Sequence, residues 1–254
     1  MTDLRIDNLL LLPMDGSDAS PLGEVREGSL RLRGDRIAAI GELEPQAGET
    51  VIDGGGLTAT PGFVQGHLHF CQTIFRGLAD DLSLLDWLRT RIWPLEHAHD
   101  PASIRASARL SILELLAGGT TCVQVMETVR HTEASFEVAE QTGITAIIGN
   151  CLMDRVGPGI PDDMVTTARQ ALAMSEELAD SFDGQGRLHY AISPRFILSC
   201  SDELSREAVA LAHDRGLRIH THACEHTDEL TEVRARFGVD YLLALRDQGL
   251  LGPR

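Results

Sequence analysis

The sequence contains no lysine, and all 22 of its basic residues are arginine. A Schiff-base lysine, a phosphate-loop lysine and a carboxylated lysine bridging two metals are therefore excluded within this chain. Aromatic residues are scarce, at 4%, and no run of about 18 apolar residues occurs, so no helical membrane span is expected. Cysteines in C-x-x-C spacing are also missing. The five that occur, Cys71, Cys122, Cys151, Cys200 and Cys224, are odd in number and scattered, which reads as reduced, mostly buried thiols of a cytoplasmic protein. Cys71 and Cys224 sit beside histidines, so ligation by either stays open. Positive charge is in the minority: 38 acidic residues give a formal net charge of −16, and neither nucleic acid nor an anionic membrane is an expected partner. The opening segment carries acids ahead of a short apolar stretch and no small-residue cleavage site, so no secretory signal is expected.

What is present is an ordinary globular composition, 43% apolar and 24% charged over 254 residues, with room for a sizeable core and one or two domains. Residues 1–58 read as short strands, at Leu4–Leu12, Ser29–Leu32 and Arg36–Ile40, set between Gly, Asp and Pro punctuation. From residue 59 onward the pattern alternates. The expected strands are Gly62–His67, Thr121–Met126, Thr145–Gly149, Leu188–Ile192 and Arg218–His222. The expected helices are Leu84–Ile92, Ala102–Ala117, Glu133–Gln141, Asp162–Ala179, Glu203–Arg215 and Thr227–Phe237. Strands alternating with helices imply right-handed crossovers and a parallel α/β sheet. Five strand–helix units fit a doubly wound five-stranded sheet, since a closed eight-unit barrel takes about 250 residues by itself. The last residues, Leu250–Arg254, read as a loop leading into another strand.

The strongest local signal is His67-Leu68-His69, on the expected strand that begins at Gly62. Residues i and i+2 of a strand point to the same side, so two imidazoles can be presented to one point, as a metal ion requires. A second such pair, His220-Thr221-His222, ends the fifth expected strand and is followed by Glu225. Strand C-termini are where α/β folds place ligands. The third pair, His97-Ala98-His99, lies at a helix end, where i and i+2 diverge, and is expected in a solvated turn.

Together with these pairs, Pro61-Gly62-Phe63-Val64, Arg76-Gly77-Leu78-Ala79-Asp80-Asp81, Trp87-Leu88, Gly118-Gly119-Thr120-Thr121, Ser193-Pro194-Arg195-Phe196-Ile197-Leu198-Ser199-Cys200-Ser201 and His220-Thr221-His222-Ala223-Cys224-Glu225 follow one another in an order that spans the chain. In these motifs the sequence resembles the amidohydrolase superfamily, in the branch of guanine deaminases, adenosine-type and S-adenosylhomocysteine deaminases and s-triazine hydrolases. The resemblance implies a (β/α)8 TIM-like barrel, about five of whose eight units lie within residues 59–254, preceded at residues 1–58 by N-terminal strands of a small β-sandwich. It implies one divalent metal, Zn2+ or alternatively Fe2+, held by His67, His69 and His222. The superfamily's strand-six His and strand-eight Asp have no counterpart here, so the chain looks truncated before strand six. Absence of lysine agrees with a mononuclear site.

The resemblance further assigns Glu225 as the proton shuttle and Gln72, Arg195, Phe196 and His220 as substrate-binding residues, with His220 alternatively supporting the metal ligands. The implied activity is metal-dependent hydrolysis of non-peptide C–N bonds, in which a metal-bound hydroxide deaminates a purine or related N-heterocycle. A non-catalytic or partner-dependent fragment of such an enzyme, and hydrolytic dechlorination of an s-triazine, are the alternatives. The expected partners are a small N-heterocyclic substrate and either further copies of the chain or a missing C-terminal half. Cys224 and His226 depart from the usual pattern, where Ser and Asn or Thr are commoner.

Overall fold

The computed structural model describes residues 3–252. Pro253 and Arg254, within the expected terminal loop, lie outside the described residues. The chain divides into two compact units, one ending at Gly62 and the other beginning at Phe63.

The first unit is a five-stranded sheet. Strands β1 (Leu4–Leu11), β2 (Arg26–Arg33), β3 (Arg36–Gly41) and β4 (Thr50–Asp53) are ordered β3-β2-β1-β4, and β5 (Thr58–Ala59) pairs with β1. β1–β2 and β2–β3 are antiparallel, whereas β4 and β5 run parallel to β1. Four charged side chains tie the sheet together: Arg5 pairs with Asp7 and Glu49, and Arg31 pairs with Glu49.

The second unit alternates strands and helices. Its strands are β6 (Phe63–Leu68), β7 (Thr120–Met126), β8 (Thr145–Gly149), β9 (Cys151–Leu152), β10 (Leu188–Pro194) and β11 (Arg218–Ile219). The sheet runs β6-β7-β8-β10-β11, all parallel and in chain order, with β9 added beside β10. A doubly wound sheet reverses its strand order at a switch point. No reversal occurs here, so that reading of the five units is corrected to an arc of a (β/α)8 barrel.

Between β6 and β7 the chain forms a 3-10 turn at Phe70–Phe75, then helices α1 (Leu84–Trp87) and α2 (Trp93–His97) joined by a π-turn, then α3 (Pro101–Ala117). Asp100 and Ser103 form a reciprocal capping box at the start of α3, with Pro101 as its first residue. Gly119, at φ 83°, turns the chain from α3 into β7, a conformation that favours glycine. Helices α4 (Thr132–Thr142), α5 (Ala168–Phe182) and α6 (Asp202–Arg215) follow β7, the β8–β9 segment and β10, and α7 (Thr227–Phe237) and α8 (Tyr241–Asp247) follow β11. The core lies between this sheet and its helices. Val123, Val125, Ile148, Tyr190 and Ile192 from the strands meet Ile112, Phe136, Leu204 and Ala208 from the helices. Gly149 ends β8 where an added Cβ would lie 2.2 Å from the Ala191 carbonyl, so only glycine lets β8 and β10 approach so closely there. No described helix is long and apolar enough to cross a membrane.

Candidate metal centre

The C-terminal ends of β6 and β11 bring the two histidine pairs together. β6 ends at Leu68 and β11 at Ile219, so His69, His220 and His222 stand just beyond their ladders. His222 is held by a separate bridge to Phe196, beyond the end of β10. The ring centres of His67, His69 and His222 lie 4.8 to 5.2 Å apart. One donor atom from each falls within 4.8 Å of the others, and these three form the metal-competent group found among the described residues.

His222 donates its Nδ1–H to the Arg195 carbonyl at 2.7 Å, because a carbonyl can only accept. In the neutral ring Nε2 is then a bare lone pair. That nitrogen faces His69 Nε2 at 3.2 Å, close to the roughly 3.3 Å edge of a tetrahedron with zinc–nitrogen arms of about 2.05 Å. Burial pushes the His222 imidazole down to about 3 and holds His69 well below the usual histidine range, with the Arg195 charge adding to both. Burial lowers His67 as well. All three rings are thus neutral at physiological pH, the form in which imidazole ligates a metal. Donor type, separation and protonation state fit a divalent cation.

A cavity of about 320 Å³ opens on this cluster. It is lined by His67, His69, Gln72, Leu84, Trp87, Leu88, Arg195, Phe196, His222, Ala223, Glu225 and Glu229. Every site residue expected from the sequence lines it except His220. That residue lies beside the cluster, with its Nε2 2.9 Å from His67 Nδ1 and its own Nδ1 buried without a partner. Glu225 stands at the exposed rim. Partial desolvation and the neighbouring Glu229 charge raise its carboxyl above the usual glutamate value.

Two carboxylates that sequence reasoning missed organise the cavity wall. Glu96 is 2% exposed and accepts from both Arg195 Nη atoms, at 2.6 and 3.1 Å, and from the Gln72 amide at 2.8 Å. Burial opposes the charge on Arg195, yet Glu96 holds the guanidinium protonated beyond the ordinary arginine range. Glu229, 1% exposed, accepts from the Glu225 backbone N–H at 3.0 Å and from the Tyr241 hydroxyl. Neither acid lies in a histidine motif, and only its place in the first turn of α7 set Glu229 apart.

The expected solvated turn at the third histidine pair is corrected for His99. It is buried at 6% exposure, bonded through Nε2 to the Cys71 carbonyl and through Nδ1 to Ser103 Oγ, and stacked on Phe75. The short α2 turns His99 inward while His97 meets Asp163 at the surface. Cys71 is fully buried, its thiol pushed well up by desolvation, and Cys224 is exposed; neither belongs to the metal-competent group.

The sequence profile described as "Amidohydrolase family" matches residues 58–252. A 5'-deoxyadenosine deaminase of Methanothermobacter thermautotrophicus is 33% identical over 250 residues, which cover 98% of this chain and 57% of that protein. A 5-methylthioadenosine/S-adenosylhomocysteine deaminase of Syntrophus aciditrophicus is 31% identical over 235 residues, 91% of this chain and 52% of that one. Among solved structures, the E. coli guanine deaminase superposes with a TM-score of 0.85 at 29% identity, covering 99% of this chain and 61% of the other. The chain spans little more than half the length of these curated relatives.

Proposed function

We propose, from the premise that the chain belongs to the amidohydrolase family, that it carries the metal-binding and proton-transfer groups of a hydrolase that removes ammonia from a purine or related aminated N-heterocycle. Members of the family bind a divalent metal, and His67, His69 and His222 are the residues that would hold it here. Zinc suits an all-imidazole donor set, and ferrous iron is served by the same donors. Such a cation acts as a Lewis acid and lowers the pKa of a coordinated water from 15.7 toward about 7.

The observation that carries this reading is a single cavity lined by three neutral imidazoles, the Glu225 carboxyl, and Gln72, Arg195 and Phe196. Deaminases of 5'-deoxyadenosine and of guanine among the relatives support the substrate class. Phe196 offers an aromatic face to a planar heterocycle. Gln72 and Arg195, fixed by Glu96, offer hydrogen bonds to its edge atoms. His220 orients the His67 ring through its contact with Nδ1.

Glu225, whose carboxyl pKa is raised by burial and by Glu229, accepts a proton more readily than an ordinary glutamate. As water adds to the aminated carbon, Glu225 takes one proton from it and passes that proton to the adjacent ring nitrogen. As the tetrahedral carbon collapses, Glu225 carries the remaining hydroxyl proton to the departing amine. The products are a lactam carbonyl and ammonia, so atoms and charge balance.

The test is ammonia release by the zinc-supplied chain from guanine, 5'-deoxyadenosine and aminotriazines. Turnover of at least one is expected, and Glu225→Gln is expected to lose about 10²- to 10⁴-fold in rate while keeping its zinc. Chloride release from a chlorotriazine without any ammonia release would favour dechlorination at the same site. A chain that binds zinc and turns over none of these compounds would overturn the reading and leave a metal-binding fragment.

A further inference from the structure

The segment between the last histidine and the glutamate is short and conformationally unusual. Cys224 sits at φ 58°, the left-handed region that a non-glycine residue keeps only where its surroundings impose it. Those surroundings come from two helices. Glu229 in the first turn of α7 reaches back past the helix start to accept the Glu225 backbone N–H. Tyr241, the first residue of α8, donates its hydroxyl to the other Glu229 oxygen and lies 3.3 Å from the His222 carbonyl.

An ordinary helix cap satisfies the free N–H groups of its own first turn. On α7 that role belongs to His226, whose Nδ1 accepts from the Asp228 N–H. Glu229 instead bonds outside its helix, to the residue that faces the substrate. It is nearly inaccessible, yet it lines the same cavity as the three imidazoles. A carboxylate so placed, with both oxygens engaged by the loop and by a second helix, fixes where the loop can lie.

We propose that Glu229, seated by Tyr241, is a positioning residue that clamps the Cys224–Glu225 turn and so fixes Glu225 opposite the three imidazoles. This rests on the reading of Glu225 as the proton-carrying group. Displacement of a reacting group by about 1 Å can cost on the order of 10²-fold in rate, whereas the cavity residues that hold the ring, Gln72, Arg195 and Phe196, belong to other segments.

The experiment compares the zinc-supplied chain with Glu229→Ala, Glu229→Gln and Tyr241→Phe, reading amide hydrogen exchange at Glu225, zinc content, and kcat and KM for ammonia release. Glu229→Ala is expected to lose Glu225 amide protection and about 10²-fold in kcat, with zinc content kept and KM changed less than about threefold. Glu229→Gln retains an acceptor oxygen and is expected to restore most of both. Tyr241→Phe, the milder variant should Glu229→Ala fail to fold, is expected to fall between them. Unchanged amide protection in Glu229→Ala, or protection lost with kcat unaltered, overturns the clamp. An unsubstituted chain that releases no ammonia overturns the deaminase reading instead, and the exchange measurement then decides the clamp by itself.

Discussion

Glu96 joins residues that are far apart in sequence, Gln72 and Arg195, and makes them a unit. Arg195 is 2% exposed, and a buried guanidinium left without its carboxylate is costly because nothing replaces the lost hydration. Glu96→Ala is therefore expected to lower unfolding free energy by about 3–5 kcal/mol, measured by urea denaturation. A loss below about 1 kcal/mol would show that the pair is not closed in solution. Glu127 presents the opposite case, a carboxyl just past β7 that is fully buried and, among the described residues, has no ion-pair partner. Burial raises it from 4.5 to about 7. The folded state then binds a proton that the unfolded chain has released, between those two values. Stability from this group is complete below pH 4.5 and is lost as pH rises through 7, by up to about 3 kcal/mol. Glu127→Gln, neutral throughout, is expected to flatten that part of the stability–pH curve and to be the more stable protein at pH 8. Parallel curves for the two proteins between pH 4.5 and 7 would remove the assignment.

Element by element, the sequence was most legible where its pattern was local. The alternation of apolar runs and amphipathic stretches located β6, β7, β8, β10, α3, α4, α6 and α7 to within a few residues, and each of the four helices ends on a glycine. The expected helix at Asp162–Ala179 begins only at Ala168. Thr167 and Gln170 form its capping box, a signal present in the sequence but masked by the acids before it. Helix α8, seven residues long, and the two- and four-residue strands β5 and β4 are too short to show a period. The fifth expected strand ran to His222, whereas its ladder stops at Ile219 and a lone bridge to Phe196 holds His222 in place. Alternation along a strand was thus the right reason to pair His67 with His69 but only part of the reason His222 meets them. Glu96 and Glu229 stayed hidden because a buried acid at a helix end reads like any solvated one until its partners, Arg195 and Tyr241, are known.

At the scale of the whole molecule, strand order was what the pattern of elements could not supply, since five βα units serve a wound sheet or a barrel arc alike. Parallel pairing of β6, β7, β8, β10 and β11 puts the strand C-termini on one side, and there the histidine pairs that follow the first and the fifth of them meet. The site therefore links segments about 150 residues apart, with the His67–His220 and His69–His222 contacts both spanning 153 positions. A cation bound by the folded chain alone should stabilise it by RT ln(1 + [metal]/Kd), about 2.7 kcal/mol at a hundredfold excess over Kd. Zinc is accordingly expected to raise the thermal midpoint of the unsubstituted chain, and chelator to reverse the rise. His69→Ala and His222→Ala should each abolish the zinc-dependent rise, while His97→Ala, at the exposed pairing with Asp163, should leave it intact. Equal shifts in all four proteins would mean that zinc binds the acidic surface at large, and the three imidazoles would then have no cation in common.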